Sequence, residues 1–181
     1  MINIFKKSLS KERKVEILTE AYLEMYRYGL SEFSSERIKR RSPHKPRGGS
    51  GLDKNELFSF NFIFFARAYL DTSKDKEREK IMGAVIDSFL WGLSLPNGLD
   101  KRIIAINLSI FYQERFFSVL GEYQRNPSID SPLLHLITQR VFRSKYKSSI
   151  PVNKVQLNRS VKNTLRSCKW CIHYNSPILE Y

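Results

Sequence analysis

The stretch DKNELFSFNFIFFARAYLDT, residues 53–72, contains the most apolar segment of this 181-residue chain. It opens with Asp53, a preferred helix N-cap, and Glu56 follows three residues later as a capping-box partner. Its apolar residues leave almost no polar face: Leu57, Phe58, Phe60, Phe62, Ile63, Phe64, Phe65, Tyr69 and Leu70. A helix that is apolar nearly all round is covered by other elements. The stretch therefore predicts a Phe-rich central helix.

Apolar residues at steps of three and four on both sides of this stretch predict further helices. The expected helices span about residues 10–28, 53–72, 75–93, 100–125, 132–147 and 153–171. Gly29 is the expected C-terminal stop of the first helix, and Ser131 and Asn153 are expected N-caps. No alternating strand pattern persists for more than a few residues. We therefore predict an all-α fold, a single compact bundle of five to six helices around the Phe-rich one.

Two segments interrupt or extend this bundle. Pro43, Pro46 and the glycine-rich run 48–51 predict a long, flexible, basic loop over residues 31–54. The helical core domain is expected to span residues 1–147, and residues 148–181 to form a basic C-terminal helix and tail packed on that core. The chain length is typical of a single domain of this kind.

The positive charge is concentrated at the C-terminal end of the chain. The net charge is +13, yet the last 51 residues contain nine basic residues and one acid, Glu180. Such asymmetry indicates an anionic partner. The composition, with 41% apolar residues, excludes a disordered chain and a collagen-like one.

The sharpest charged pattern lies on the last predicted helix. Its basic residues follow one another at steps of three, four and three, beside an apolar stripe: Arg159, Lys162, Arg166 and Lys169. We take these as the principal candidates for nucleic-acid binding, with Arg140, Arg143, Arg40 and Arg41 as the second group. An acidic stripe on the first helix is an internal competitor for this charge: Glu12, Glu16, Glu20 and Glu24. Nearby polar groups, Asn158 and Asn163 among them, could supplement phosphate or base contacts.

Residues that could carry chemistry are few. Cys168, Cys171 and His173 are weak candidates for a metal site, because two thiolates and an imidazole supply three of the four ligands that zinc requires. No second ligand pair, nucleophile motif or phosphate-cradling loop accompanies them. We therefore expect no cofactor, no metal site beyond these weak candidates and no enzymatic activity.

These observations predict a non-enzymatic basic helical protein that binds nucleic acid mainly through phosphate contacts, in an accessory or regulatory role. The alternative is a protein-interaction module, of an immunity, adaptor or inhibitor type, whose basic face binds an acidic protein. The C-terminal aromatic residues Trp170, Tyr174 and Tyr181 could cover the core or dock a partner, and the sequence leaves this open. No signal peptide or transmembrane segment is expected, which favours a cytoplasmic location.

Overall fold

The computed structural model describes residues 9–34, 38, 52–92, 95–111, 115–142 and 152–179. Within these ranges the chain forms seven α-helices, one short π-helical segment and no strand, so the predicted all-α class is confirmed. The helices are α1 (Lys11–Ser34), α2 (Lys54–Thr72), α3 (Arg78–Asp87), α4 (Lys101–Phe111), α5 (Arg115–Arg125), α6 (Pro132–Val141) and α7 (Lys154–Leu179), and the π-helical segment Ser88–Gly92 follows α3. The predicted fourth helix corresponds to α4 and α5 together, with residues 112–114 outside the described ranges.

Helix α2 is the central element, as its sequence predicts. Every side chain from Leu57 to Ala66 is buried, and α2 packs against α1, α3, α4, α6 and α7. The Asp53 side chain caps the helix by accepting hydrogen bonds from the backbone amides of Asn55 and Glu56. The capping-box prediction for Glu56 is not met, because its Oε1 accepts a hydrogen bond from Arg140 and the Asp53 amide donates to Val141 O.

Aromatic rings fill the space between α1, α2 and the π-helical segment. Tyr22 lies at their centre, with ring centroids 5.0 to 5.6 Å from those of Phe58, Phe62, Phe65 and Phe89. Most of these pairs meet edge to face, the arrangement that the aromatic quadrupole favours. The Tyr22 hydroxyl is satisfied, because it donates a 2.6 Å hydrogen bond to the carbonyl oxygen of Phe58.

Helix α1 is longer than predicted, and the expected stop at Gly29 is wrong. The helix continues to Ser34, and Gly29 lies buried inside it against α2. A Cβ at Gly29 would come within 2.9 Å of Asn61 Cγ and 3.1 Å of Asn61 Oδ1, and closer still to Nδ2. The glycine therefore allows two helices to approach closely. The first four residues of the predicted loop, 31–34, therefore belong to α1, and Ile38 further along the chain is buried.

The expected caps at the C-terminal end of the chain are confirmed. The Ser131 side chain accepts from the Leu134 amide, and the Asn153 side chain accepts from the amides of Val155 and Gln156. Helix α7 extends beyond the predicted end near residue 171 and packs on α1 and α2. Asn153 also donates its amide hydrogen to Ile38 O at 2.7 Å, which ties the start of α7 to the segment after α1. None of the described helices has both the length and the apolar character needed to cross a membrane.

A pH-dependent ion pair fixes the start of α1 to the turn before α3. Lys14 Nζ lies 2.7 Å from Asp75 Oδ2, and both side chains are mostly covered. The hydrogen bond from Lys14, and then one from the Glu77 amide, hold the pKa of Asp75 below its ordinary value of 3.8. A carboxyl group whose pKa is lower in the folded state stabilises the protein above its unfolded pKa, and this contribution is lost as the pH falls through its folded pKa.

We expect Asp75→Asn to lower the free energy of unfolding by about 1 kcal/mol at neutral pH, because it removes the charge and keeps an acceptor for the Glu77 amide. Urea unfolding at pH 7 and at about pH 3 measures the difference, which should shrink at the lower pH. Asp87→Asn is the matched control, since Asp87 is exposed on α3 and has no ion pair in the described part of the chain. A destabilisation by Asp75→Asn that is the same at both pH values would contradict this account.

Candidate nucleic-acid interface

The four principal candidates form one line along the outer face of α7. Arg159, Arg166 and Lys169 are exposed and Lys162 is half-buried. Their spacing covers about 15 Å of helix, at a rise of about 1.5 Å per residue. None of the four forms an ion pair with an acid among the described residues. We call this line the α7 cation row.

Polar contacts lie on both flanks of α7, beside its outer face. On one side the Tyr123 hydroxyl of α5 donates to the Asn158 side chain, and on the other Asn163 Nδ2 donates to Glu32 Oε2 of α1 at 3.4 Å. The two asparagines that were predicted to supplement phosphate contacts are thus engaged within the chain. Between them, Arg159, Lys162 and Arg166 border a shallow depression on the helix surface. The row lies on a firmly placed helix.

The acidic stripe of α1 leaves the α7 cation row uncompensated. Glu12, Glu16, Glu20 and Glu24 are all exposed, and Glu16 forms an ion pair with Arg13 of its own helix. No ion pair joins this stripe to α7 within the described ranges. Within these ranges the row has no direct ion pair with the stripe, and the Glu32 carboxylate of α1 contacts Asn163 beside it.

Of the second group of candidates, Arg140 lies within the described residues. Arg140 of α6 forms an ion pair with Glu56 of α2, with Nη2 3.0 Å from Oε1 and the arginine side chain 28% exposed. This contact compensates part of its charge. Arg40, Arg41 and Arg143 lie outside the described residues, so their predicted role stays a prediction.

The weak metal candidates occupy opposite sides of α7. Cys168 is fully buried and Cys171 nearly so, whereas His173 is exposed. No cluster of three or more potential metal ligands occurs in the described part of the chain. Burial raises the pKa of both thiols, and Glu24 raises that of Cys171 further. The cysteines pack as small apolar side chains in the core.

Both thiols should therefore react slowly in the folded protein. We expect modification by dithionitrobenzoate at neutral pH to be at least about tenfold slower than for a free cysteine, because burial restricts access and suppresses the thiolate. Both should react at once in denaturant, which provides the internal control. Rapid modification of one or two thiols per folded chain would show that this end of α7 is open.

The structure adds aromatic residues that the sequence did not assign to the site. Trp170 and Tyr174 lie one turn apart on α7, and each is 67% exposed. Their rings stack with centroids 5.4 Å apart and an interplanar angle of 21°. Trp170 follows Arg166 by four residues and therefore continues the same side of the helix. The continuation of α7 to Leu179 is what places both rings on this regular surface.

Comparison of the chain with known proteins identifies no family. No protein-family model, no curated protein and no solved structure matches the chain. The functional conclusion accordingly depends on the chemistry of the outer α7 face.

Proposed function

We propose that this chain is a cytoplasmic, non-enzymatic protein that binds nucleic acid through the α7 cation row, in an accessory or regulatory role. The observation that carries the proposal is the row itself: four cations on one helix face, none of them paired with an acid among the described residues. Repeated, uncompensated cations at intervals of one helical turn suit a polymer of repeated anions better than a single anionic ligand.

Phosphate contact explains how such a row would act. Each Lys or Arg that neutralises a phosphate releases condensed counterions, so the association constant falls with salt at a log–log slope of about −0.7 per contact for single strands and −0.9 for duplexes. Four contacts correspond to a slope of about −3 to −4. The contacts position the nucleic acid and carry little sequence information, as expected for an accessory protein.

Titration of labelled oligonucleotides with the full chain over a series of salt concentrations tests the proposal. We expect fluorescence anisotropy to show binding at low salt. The log–log slope of the association constant against salt concentration should have a magnitude of about 3 or more. Absence of binding at the lowest salt, or an affinity that does not change with salt, would overturn the proposal.

The second candidate function is binding of an acidic protein. It is favoured by Trp170 and Tyr174, since Trp, Tyr and Arg are the residue types that dominate protein interfaces. Polyglutamate distinguishes nucleic-acid binding from acidic-protein binding, because it supplies repeated carboxylates without phosphates or bases. Displacement of the oligonucleotide by polyglutamate at an equal concentration of charge would favour the acidic protein.

A further inference from the structure

The stacked pair Trp170–Tyr174 needs an explanation that the α7 cation row does not supply. A single exposed aromatic side chain is ordinary, but Trp170 and Tyr174 are each 67% exposed and in contact with each other, and contiguous exposed apolar surface marks interaction sites. The nearly parallel rings present broad, flat π-faces at the C-terminal end of the row. Arg166 precedes Trp170 by four residues, so this cation and the rings share one side of the helix.

Flat aromatic rings beside a row of cations suit the bases and phosphates of a single-stranded nucleic acid. Its bases are unstacked and expose their π-faces, whereas a duplex keeps those faces inside the stack and presents phosphates and groove edges. Aromatic side chains in single-strand binding proteins stack on bases while nearby cations follow the backbone.

The packing of α7 also argues against insertion into a duplex. A helix is about 10–12 Å across with its side chains and enters the major groove, about 12 Å wide, only when it protrudes from the protein. Contacts with Glu32 of α1 and Tyr123 of α5 hold α7 on both flanks. Only its outer face is available, and a flexible single strand can lie along such a face.

We infer that the ligand of this surface is single-stranded nucleic acid, with phosphates along the α7 cation row and a base stacked on the Trp170–Tyr174 pair. This inference rests on the proposed function. It places the electrostatic contribution at Arg159 to Lys169 and the base-dependent contribution at Trp170 and Tyr174.

Tryptophan fluorescence tests the inference directly, because the chain has two tryptophans. Trp91→Phe leaves Trp170 as the sole tryptophan, and Trp170→Phe leaves Trp91, which is 83% exposed on the π-helical segment. We expect a single-stranded oligonucleotide to quench the fluorescence of Trp170 and not that of Trp91. A duplex, and an abasic strand of equal length, should leave Trp170 unquenched.

Affinity measurements with the same three ligands separate stacking from charge. Trp170→Ala should weaken binding of the base-bearing strand by about 5- to 100-fold and leave the abasic strand unchanged. Trp170→Phe should retain most of the affinity, and Trp91→Ala should have no effect. An equal affinity of native protein for strand, duplex and abasic strand, or an unchanged affinity of Trp170→Ala, would overturn the inference while the salt-dependent binding of the proposed function stands. Absence of binding to all three ligands at low salt would overturn both.

Discussion

Replacing the whole α7 cation row with glutamine should lower the affinity for a single-stranded oligonucleotide several hundred-fold at about 100 mM salt. The estimate follows from four phosphate contacts, each contributing about 0.7 to the salt slope, in a binding constant whose electrostatic part vanishes near 1 M salt. The magnitude of the log–log slope should fall by about three, and the two proteins should converge in affinity at high salt. Glutamine is close to lysine and arginine in helix propensity, so α7 should remain folded.

A second quadruple variant separates the position of the charges from their number. Lys76, Lys101, Arg102 and Arg125 are exposed, lie outside α7 and have no ion pair among the described residues. Replacing these four with glutamine removes two lysines and two arginines, as in the row variant, and lowers the net charge from +13 to +9 in both. We expect this control to bind nearly as well as the native chain. Equal losses in the two variants would mean that only the total charge matters.

Most features of the fold that are local in sequence were predictable, the capping box of Glu56 being an exception. The apolar run of α2, the cap at Asp53 and the caps at Ser131 and Asn153 are set by residues within a few positions of one another, and the structure has all of them. Gly29 was misassigned because a glycine that ends a helix and one that admits a neighbouring helix look alike in sequence. Its structural role depends on Asn61, which lies on the next helix.

The candidate site also has features that a local sequence pattern predicts and features that depend on distant residues. The spacing of the α7 cation row is a local pattern, and the structure places it on an exposed helix face. The ion pair of Arg140 joins residues 84 positions apart, which no local pattern indicates. The role of Trp170 and Tyr174 depended on where α7 ends. Because the predicted end near residue 171 fell between them, the sequence did not place both rings on one continuous helix.

Gly29→Ala should destabilise the protein by about 2 kcal/mol, the cost typical of forcing an extra methyl group into a well-packed core. The added Cβ would overlap the side chain of Asn61, which is 1% exposed and has no room to move into water.

Gly83→Ala is the comparison variant, at a glycine whose added Cβ has free space. Gly83 lies within α3, and a Cβ there meets no described atom within 4 Å. That substitution should stabilise the protein by about 0.5–1 kcal/mol, because alanine loses less backbone entropy in a helix. Thermal and urea unfolding of both variants measure the two effects.

A double variant identifies the clash that makes Gly29 necessary. The three atoms nearest to the added Cβ all belong to the Asn61 side chain, whose amide has no hydrogen-bond partner among the described residues. Asn61→Ala removes these atoms, so Gly29→Ala should cost little in that background and could become favourable, as at Gly83. The coupling free energy between the two substitutions should therefore be about 2 kcal/mol, close to the full cost of Gly29→Ala alone. If Gly29→Ala is equally destabilising with and without the Asn61 side chain, close approach to Asn61 is not the reason that this position holds a glycine.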